Sequence, residues 1–220
     1  MPPMPTLDLG DLRRLTPIDS HFGGGRGMPV DRHYIERFLE AHALDIRGRV
    51  LEVGDDVYTR RFGGDRVEAR DIVHVDDTNP LATVVANLAD GHELPSDRYD
   101  CFICTQTLHY IYPVQAAVAT SYRILKPGGV LLVTVPGISP ISPYDRDRWG
   151  DYWRFTSQSL RRLLAEAFPL ENVGVEAAGN VLACTAFLQG LAVEDLRRDE
   201  LAHHDQRYEL LIAGRAVKPA

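Results

Sequence analysis

Short apolar runs alternate with stretches of helical periodicity along most of this chain, and that alternation limits the fold more than any single residue. Strands are predicted at 49–53, 72–76, 83–86, 99–104, 130–135, 173–177 and 208–217. Helices are predicted at about 30–44, 113–125, 156–168 and 180–201. In the first helix Ile35, Phe38, Leu39 and Ala43 recur at helical spacing. In the third, Leu160, Leu163, Leu164 and Ala167 line one face, and Thr156 is placed to cap its start. The run from Lys126 to Gly129, KPGG, stops a helix and launches the apolar strand VLLVTV. The pattern predicts an α/β, doubly wound, mostly parallel sheet covered on both faces. Pro and Gly crowd residues 1–28, and HFGGGRGMP (His21 to Pro29) reads as a flexible loop. The expected organisation is an N-terminal segment over 1–28, able to act as a lid, and one domain over 29–220.

Bulk properties narrow the function. With 220 residues, 45% of them apolar, the chain can bury one sizeable core. The net charge of −7 is spread along the chain with no basic stripe, so nucleic acid is not an expected partner. Three cysteines in a chain of this size fit a reducing cytoplasm better than a disulfide framework. No apolar run approaches the ~20 residues of a membrane span, and the N-terminus lacks the features of a signal peptide.

Ligands of open parallel sheets bind at the carboxyl ends of the strands. The segment RVLEVGDDVYTRRFGG (Arg49 to Gly64) runs a strand straight into Gly54, as a nucleotide-binding turn does. Asp56 and Tyr58 stand where further glycines would be expected. Asp76 lies 22 residues beyond Gly54, the spacing at which an acid on the next strand accepts hydrogen bonds from ribose hydroxyls. Asp55 and Asp56 would repel a pyrophosphate by about 1–4 kcal/mol per close charge pair. A cofactor without phosphate fits better. S-adenosylmethionine carries a sulfonium and an ammonium, which the carboxylates Glu52, Asp55 and Asp56 attract.

Four segments together resemble the class I S-adenosylmethionine-dependent methyltransferases, over about Gly48 to Phe168. They are VLEVGDD, ELPSDRYDCFICTQTLHYI (Glu93 to Ile111), SYRILKPGGVLLVTVP (Ser121 to Pro136) and DYWRFTSQSLRRLLAEAF (Asp151 to Phe168). In the first, only Glu52 and Gly54 match the family's E/D-x-G-x-G-x-G pattern. The resemblance implies a Rossmann-like sheet of seven strands with an antiparallel last strand, here YELLIAGRAV. It implies S-adenosylmethionine as cofactor, with Glu52 and Gly54 against the methionine part and Asp55 beside them among the cofactor-binding residues. It also implies Asp76 at the ribose with Asp77 beside it, Asn87 and Leu88 near the adenine, and Thr105 and Gln106 lining the cofactor from the fourth strand. SHFGGGRGMPVDRHYIERFL resembles a bacterial subgroup associated with glycan or natural-product modification.

Methyl transfer is an in-line displacement, so its rate depends on alignment and exclusion of water. An oxygen or nitrogen acceptor on a small molecule, such as a sugar or natural-product intermediate, must also lose a proton. His109, after the fourth strand, is the first candidate base, with a positioning role as the alternative; His21 on the N-terminal loop is the second. Tyr144, Trp149, Tyr152 and Trp153 are candidates for an apolar wall, although core packing explains Trp153 and Phe155 equally well. Arg26, Tyr110, Arg146 and Arg148 are candidates for contact with the acceptor. A homodimer is an open alternative for assembly.

Three further spellings are read as structural. Cys101 and Cys104 sit three apart in a strand and so point to opposite faces, which suits neither redox nor zinc chemistry. Tyr122 and Lys126 spell a dehydrogenase dyad without its glycine fingerprint. His203, His204 and Asp205 read as a solvated loop, and no metal is expected. Two rivals stand beside methyl transfer: a nicotinamide-dependent oxidoreductase, and a non-catalytic binding subunit on the methyltransferase fold.

Overall fold

The structure, a computed structural model, describes residues 10–220, so residues 1–9 of the predicted N-terminal segment lie outside it. Its seven strands are β1 (Gly48–Val53), β2 (Val67–His74), β3 (Val84–Val85), β4 (Tyr99–Thr105), β5 (Leu125–Pro136), β6 (Val173–Ala178) and β7 (Leu211–Val217). They form one sheet in the order β3-β2-β1-β4-β5-β7-β6. β7 runs antiparallel to both its neighbours, and the other pairs are parallel. The helices are α1 (Val30–Ala41), α2 (Val114–Ile124), α3 (Pro143–Trp149), α4 (Ser157–Leu164), α5 (Val181–Leu188) and α6 (Arg198–Ala202).

The apolar runs are continuous because the central strands are buried on both faces. Val50, Ile103 and Leu132 meet Ile35 and Leu39 of α1 on one side. Their chain neighbours Leu51, Phe102 and Leu131 meet Leu160 and Leu164 of α4 on the other. Cys101 and Cys104 part in the same way, one into each core, with free thiols. Strand order reverses between β1 and β4, and a crevice opens beyond their carboxyl ends at such a switch point.

Several boundaries differ from the sequence reading. β2 starts at Val67 and ends at His74, so Asp76 falls in the turn that follows. Helix α4 ends at Leu164; its start is the expected one, with Thr156 capping the Ser159 amide and Ser159 returning a bond. The loop after β5 contains α3, begun by Pro143 at its first turn and capped by Ser142. The single helix expected at 180–201 is two, α5 and α6, separated by a short turn at Val193–Asp195. Gly190 makes that break: its φ is +69°, and its bare Cα faces the backbone of Asp19 so closely that a Cβ would overlap the Asp19 carbonyl oxygen. Gly190→Ala must therefore strain both the turn and the segment docked on it. The expected loss is about 1–3 kcal/mol in urea unfolding, with faster amide exchange around Ile18 and Asp19.

Candidate active site

Glu52, at the end of β1, is buried, and its carboxylate accepts three hydrogen bonds. They come from the Tyr58 amide at 3.2 Å, the Thr59 amide at 2.8 Å and the Thr59 hydroxyl at 2.7 Å. Gly54 turns the chain with φ +85°, and nothing stands within 4 Å of where a Cβ would be. Its conformation, not close approach, requires glycine there. Its carbonyl accepts from Asn79 Nδ2 at 2.6 Å. Tyr58, in the place of a motif glycine, is buried, stacks on Phe62 and accepts a 2.6 Å bond from Arg32. Asp55 faces the cleft, but Asp56 does not: its carboxylate pairs with Arg60 at 2.7 Å and Arg70 at 3.3 Å. The attraction expected of Asp56 toward a cationic cofactor is therefore withdrawn.

A cleft of about 740 Å³ opens over the carboxyl ends of β1, β2 and β4. Glu52, Gly54, Asp55, Asp76, Asn87, Leu88, Thr105 and Gln106 all line it, so eight predicted cofactor residues are brought together. Asp77 is the exception, exposed in the turn and outside the lining. Asp76 Oδ1 is held by the Thr78 amide and hydroxyl and by His74 Nδ1, and these bonds keep its carboxyl below the ordinary carboxylate range. The Asn87 side-chain carbonyl already accepts from the Ala89 amide at 2.9 Å, which fixes the residue's orientation. Gln106 sits at φ +46°, a strained conformation at the tip of β4 of the kind that marks functional sites.

The opposite wall comes from the segments after β4 and β5. Tyr110, Arg148, Trp149 and Tyr152 line the cleft. Tyr110 donates to Asp145 at 3.0 Å, and its ring lies 6.1 Å from that of Trp149. Trp149 in turn meets His74 edge-on at 5.8 Å, so α3 reaches across to the tip of β2. Arg154 braces the wall from behind: it pairs with both oxygens of buried Asp151 and donates to the carbonyls of Ser139, Pro140 and Trp153. Trp153 donates to the Ile111 carbonyl at 3.1 Å and packs against the core with Phe155, as the packing reading of both residues had it. Tyr144 is exposed on α3, stacked under Arg148 rather than in the wall.

Four candidate residues are not brought to the cleft. His109 is 5% exposed and absent from the lining; its ring lies 3.8 Å from that of Tyr110. Burial pushes its imidazole down to about 4, so it is neutral at pH 7 and too weak a base for the assigned role. His21 is exposed beside Asp19. Arg26 forms a two-pronged pair with Asp195, at 2.9 and 2.6 Å, and the surrounding turn docks near α5 rather than over the cleft. Arg146 pairs with Asp147 instead of facing a ligand. Among the described residues no three His, Cys, Asp or Glu side chains are grouped to hold a metal. The sequence reading missed Arg32, Tyr58, His74 and Tyr112, which all line the cleft. In the sequence Tyr58 stands out only as a missing glycine, and the helix carrying Arg32 only as a core face.

This strand order, with acids at the tips of β1 and β2 and the reversal between β1 and β4, is the fold of class I S-adenosylmethionine-dependent methyltransferases. The methyltransferase-domain family matches residues 21–173, and the chain belongs to that family. Its solved structural relatives are distant. A SAM-dependent methyltransferase from Archaeoglobus fulgidus superposes with a TM-score of 0.55 at 13% identity, over 85% of this chain and 94% of that one. The N-methyltransferase NodS from Bradyrhizobium japonicum, in complex with S-adenosylhomocysteine, gives 0.56 at 14% identity, over 89% and 90%. Phosphoethanolamine N-methyltransferase 2 of Haemonchus contortus, with S-adenosylmethionine, gives 0.54 at 14% identity, over 82% of this chain and 53% of that one. No curated protein matches the sequence. Among the described residues no helix is long and apolar enough to cross a membrane.

Two buried groups give the site a testable pH signature. Burial, opposed by its three donors, pushes the Glu52 carboxyl from 4.5 up to about 7. Its folded value is raised, so its share of stability is present at low pH and lost as pH rises from 4.5 to about 7. His109 is depressed from 6.5 to about 4, so its share is present above 6.5 and lost as pH falls to about 4. The two oppose each other in the native protein. In urea titrations, Glu52→Gln is expected to leave a stability that falls with acidification. His109→Gln leaves one that falls with rising pH, each by about 1–3 kcal/mol across the window. Two flat profiles would show that neither group titrates as its surroundings dictate.

Proposed function

We propose that the protein transfers a methyl group from S-adenosylmethionine to an oxygen or nitrogen of a small-molecule acceptor. One observation carries the choice of cofactor: the Tyr58 and Thr59 amides after β1 are already taken by Glu52. A dinucleotide site presents such amides to pyrophosphate. Here they are filled by a carboxylate, and the loop offers more negative charge instead, which speaks against a nicotinamide cofactor.

When bound, S-adenosylmethionine supplies a methyl group made electrophilic by its sulfonium. The chain's residues divide the rest of the task. Asp76, pre-oriented by Thr78 and His74, accepts from the ribose hydroxyls. Glu52 and Asp55 attract the ammonium, and Arg32, anchored on Tyr58, suits the carboxylate of the methionine part. Leu88 and Asn87 pack the adenine. The aromatic wall of Tyr110 and Trp149 excludes water and aligns the acceptor. His109 supports Tyr110 from beneath, a positioning role. The three buried free thiols support a reducing compartment such as the cytoplasm.

Titration calorimetry of the purified chain tests this reading. Micromolar binding of both S-adenosylmethionine and S-adenosylhomocysteine is expected, with no uptake of NADH. Asp76→Ala is expected to weaken both by about ten- to a hundredfold. Absence of binding by the native chain refutes the enzyme reading, and an unchanged Asp76→Ala refutes the ribose assignment.

A further inference from the structure

The acceptor end of the cleft has its own charge pattern, and its interpretation rests on the methyl-transfer reading above. The carboxylates that line the cleft, Glu52, Asp55 and Asp76, all belong to the β1 and β2 tips. The wall facing them, built from residues 107–113 and 148–152, contributes no carboxylate and one cation, Arg148. Arg146 and Arg154 nearby are ion-paired, whereas Arg148 has no ion pair among the described residues. It is nonetheless held in place: its guanidinium lies 3.4 Å over the Tyr144 ring, and Nη1 donates to the Tyr144 carbonyl at 2.9 Å. A guanidinium stacked this way keeps a planar fork ready for a carboxylate or phosphate.

The rest of the wall decides what carries that anion. Trp149, Tyr152 and Tyr112 bring aromatic rings to the lining, with Tyr112 stacked on Trp153 and in a T-shaped contact with Tyr152. Two of the wall's four hydroxyls are committed, Tyr110 to Asp145 and Thr107 to the Thr105 carbonyl, which leaves those of Tyr112 and Tyr152 on the rings themselves. An ammonium would gain from the rings but meet Arg148, and the carboxylates behind the wall are already taken, Asp145 by Tyr110 and Asp151 by Arg154. We propose that Arg148 determines acceptor specificity, and that the acceptor is a flat ring bearing an anionic group, a carboxylate or a phosphate. The ring lies against the aromatic wall, and the anion meets the free edge of the Arg148 fork.

The test uses the full chain with S-adenosylhomocysteine. Its binding to the native chain and to Arg148→Gln is measured first; no binding to the native chain would overturn the methyl-transfer reading itself. Matched probes follow: para-hydroxybenzoate with its amide, phenyl phosphate with phenol, and tyramine as the cation. At least one anion is expected to bind about tenfold or more tightly than its neutral partner. Which pair discriminates identifies carboxylate or phosphate. Arg148→Gln is expected to remove about ten- to a hundredfold of that affinity, leaving S-adenosylhomocysteine and the neutral partner unaffected. Arg148→Lys, which keeps the charge without the fork, should recover part of the loss. Equal affinity within both pairs, a preference for tyramine, or an anion preference that survives Arg148→Gln overturns the proposal.

Discussion

A carboxylate buried at a strand end, satisfied by the first amides of the next turn, fixes the mouth of this site. Burying a charge is costly unless hydrogen bonds replace its hydration. Glu52 has three donors, and the arrangement works in both directions. The amides of Tyr58 and Thr59 would otherwise be unsatisfied at the start of the crossover to β2. The carboxylate satisfies the amides in full, while the donors offset only part of its own desolvation, which is why burial still raises it to about 7. The loop therefore has no need of the glycines that let a backbone approach a phosphate. Asp56 follows the same logic outward, tied to Arg60 and Arg70 on the far side of the turn. The turn is specialised rather than degraded: Tyr58 in a glycine position supplies both an amide to Glu52 and a hydroxyl to Arg32.

Around that fixed mouth, the fold sorts charge from aromatic surface. The reversal of strand order places the tips of β1 and β2 on one side of the cleft and the segments after β4 and β5 on the other. Acids collect on the first side and rings on the second. The two sides also differ in firmness. The β1 and β2 tips are built on strands buried in the core. Helix α3, which carries Arg148 and Trp149, has no buried residue of its own. It is held by Asp145 to Tyr110, by the edge of Trp149 on His74, and by the Arg154 brace behind it. Few apolar contacts and exposed polar bonds place α3 at the low-stability end of the structure, where elements that move on binding are found.

The sequence carried the sheet well because burial on both faces writes itself as continuous apolar runs. The alternation of those runs with helical spacing was sufficient to order the elements. It failed where backbone conformation outweighs periodicity. Apolar spacing runs through Gly190, but a positive φ and the closeness of Asp19 end the helix there. The helix at 143–149 was hidden because its residues are charged and aromatic, with no buried face to set a period. At the site, strand tips were legible because position at a carboxyl end follows from the fold alone; hence Asp76 and Gln106. Side-chain direction was not legible. Nothing in the order Leu108-His109-Tyr110 says that the histidine turns inward and the tyrosine toward the cleft. Nothing in DRHYIERFL separates Arg32 from the arginines on the outer surface.

The N-terminal segment acquires a different role once its contacts are followed to α1. Arg26 pairs with Asp195, the Met28 amide donates to Glu194, and Pro29 bridges to Ala192. These three contacts fall in the last residues before α1 begins at Val30. Arg32 lies in the first turn of that helix, where its orientation depends on how the helix enters. Pro29 presets φ just ahead of the helix, and its own missing amide removes a donor that the bridge would otherwise have to satisfy. The turn HFGGGRG thus acts as a strut: it docks on the 192–195 segment and delivers Arg32 to Tyr58 at the β1 side of the cleft. A segment that reads as a hinge by composition is bound through Arg26, and the Asp19 carboxylate fixes its shape by accepting from the His21 and Gly25 amides. Its glycines serve the tightness of the turn, and Gly23, at φ +90° against the Leu191 carbonyl, shows the close approach that turn requires.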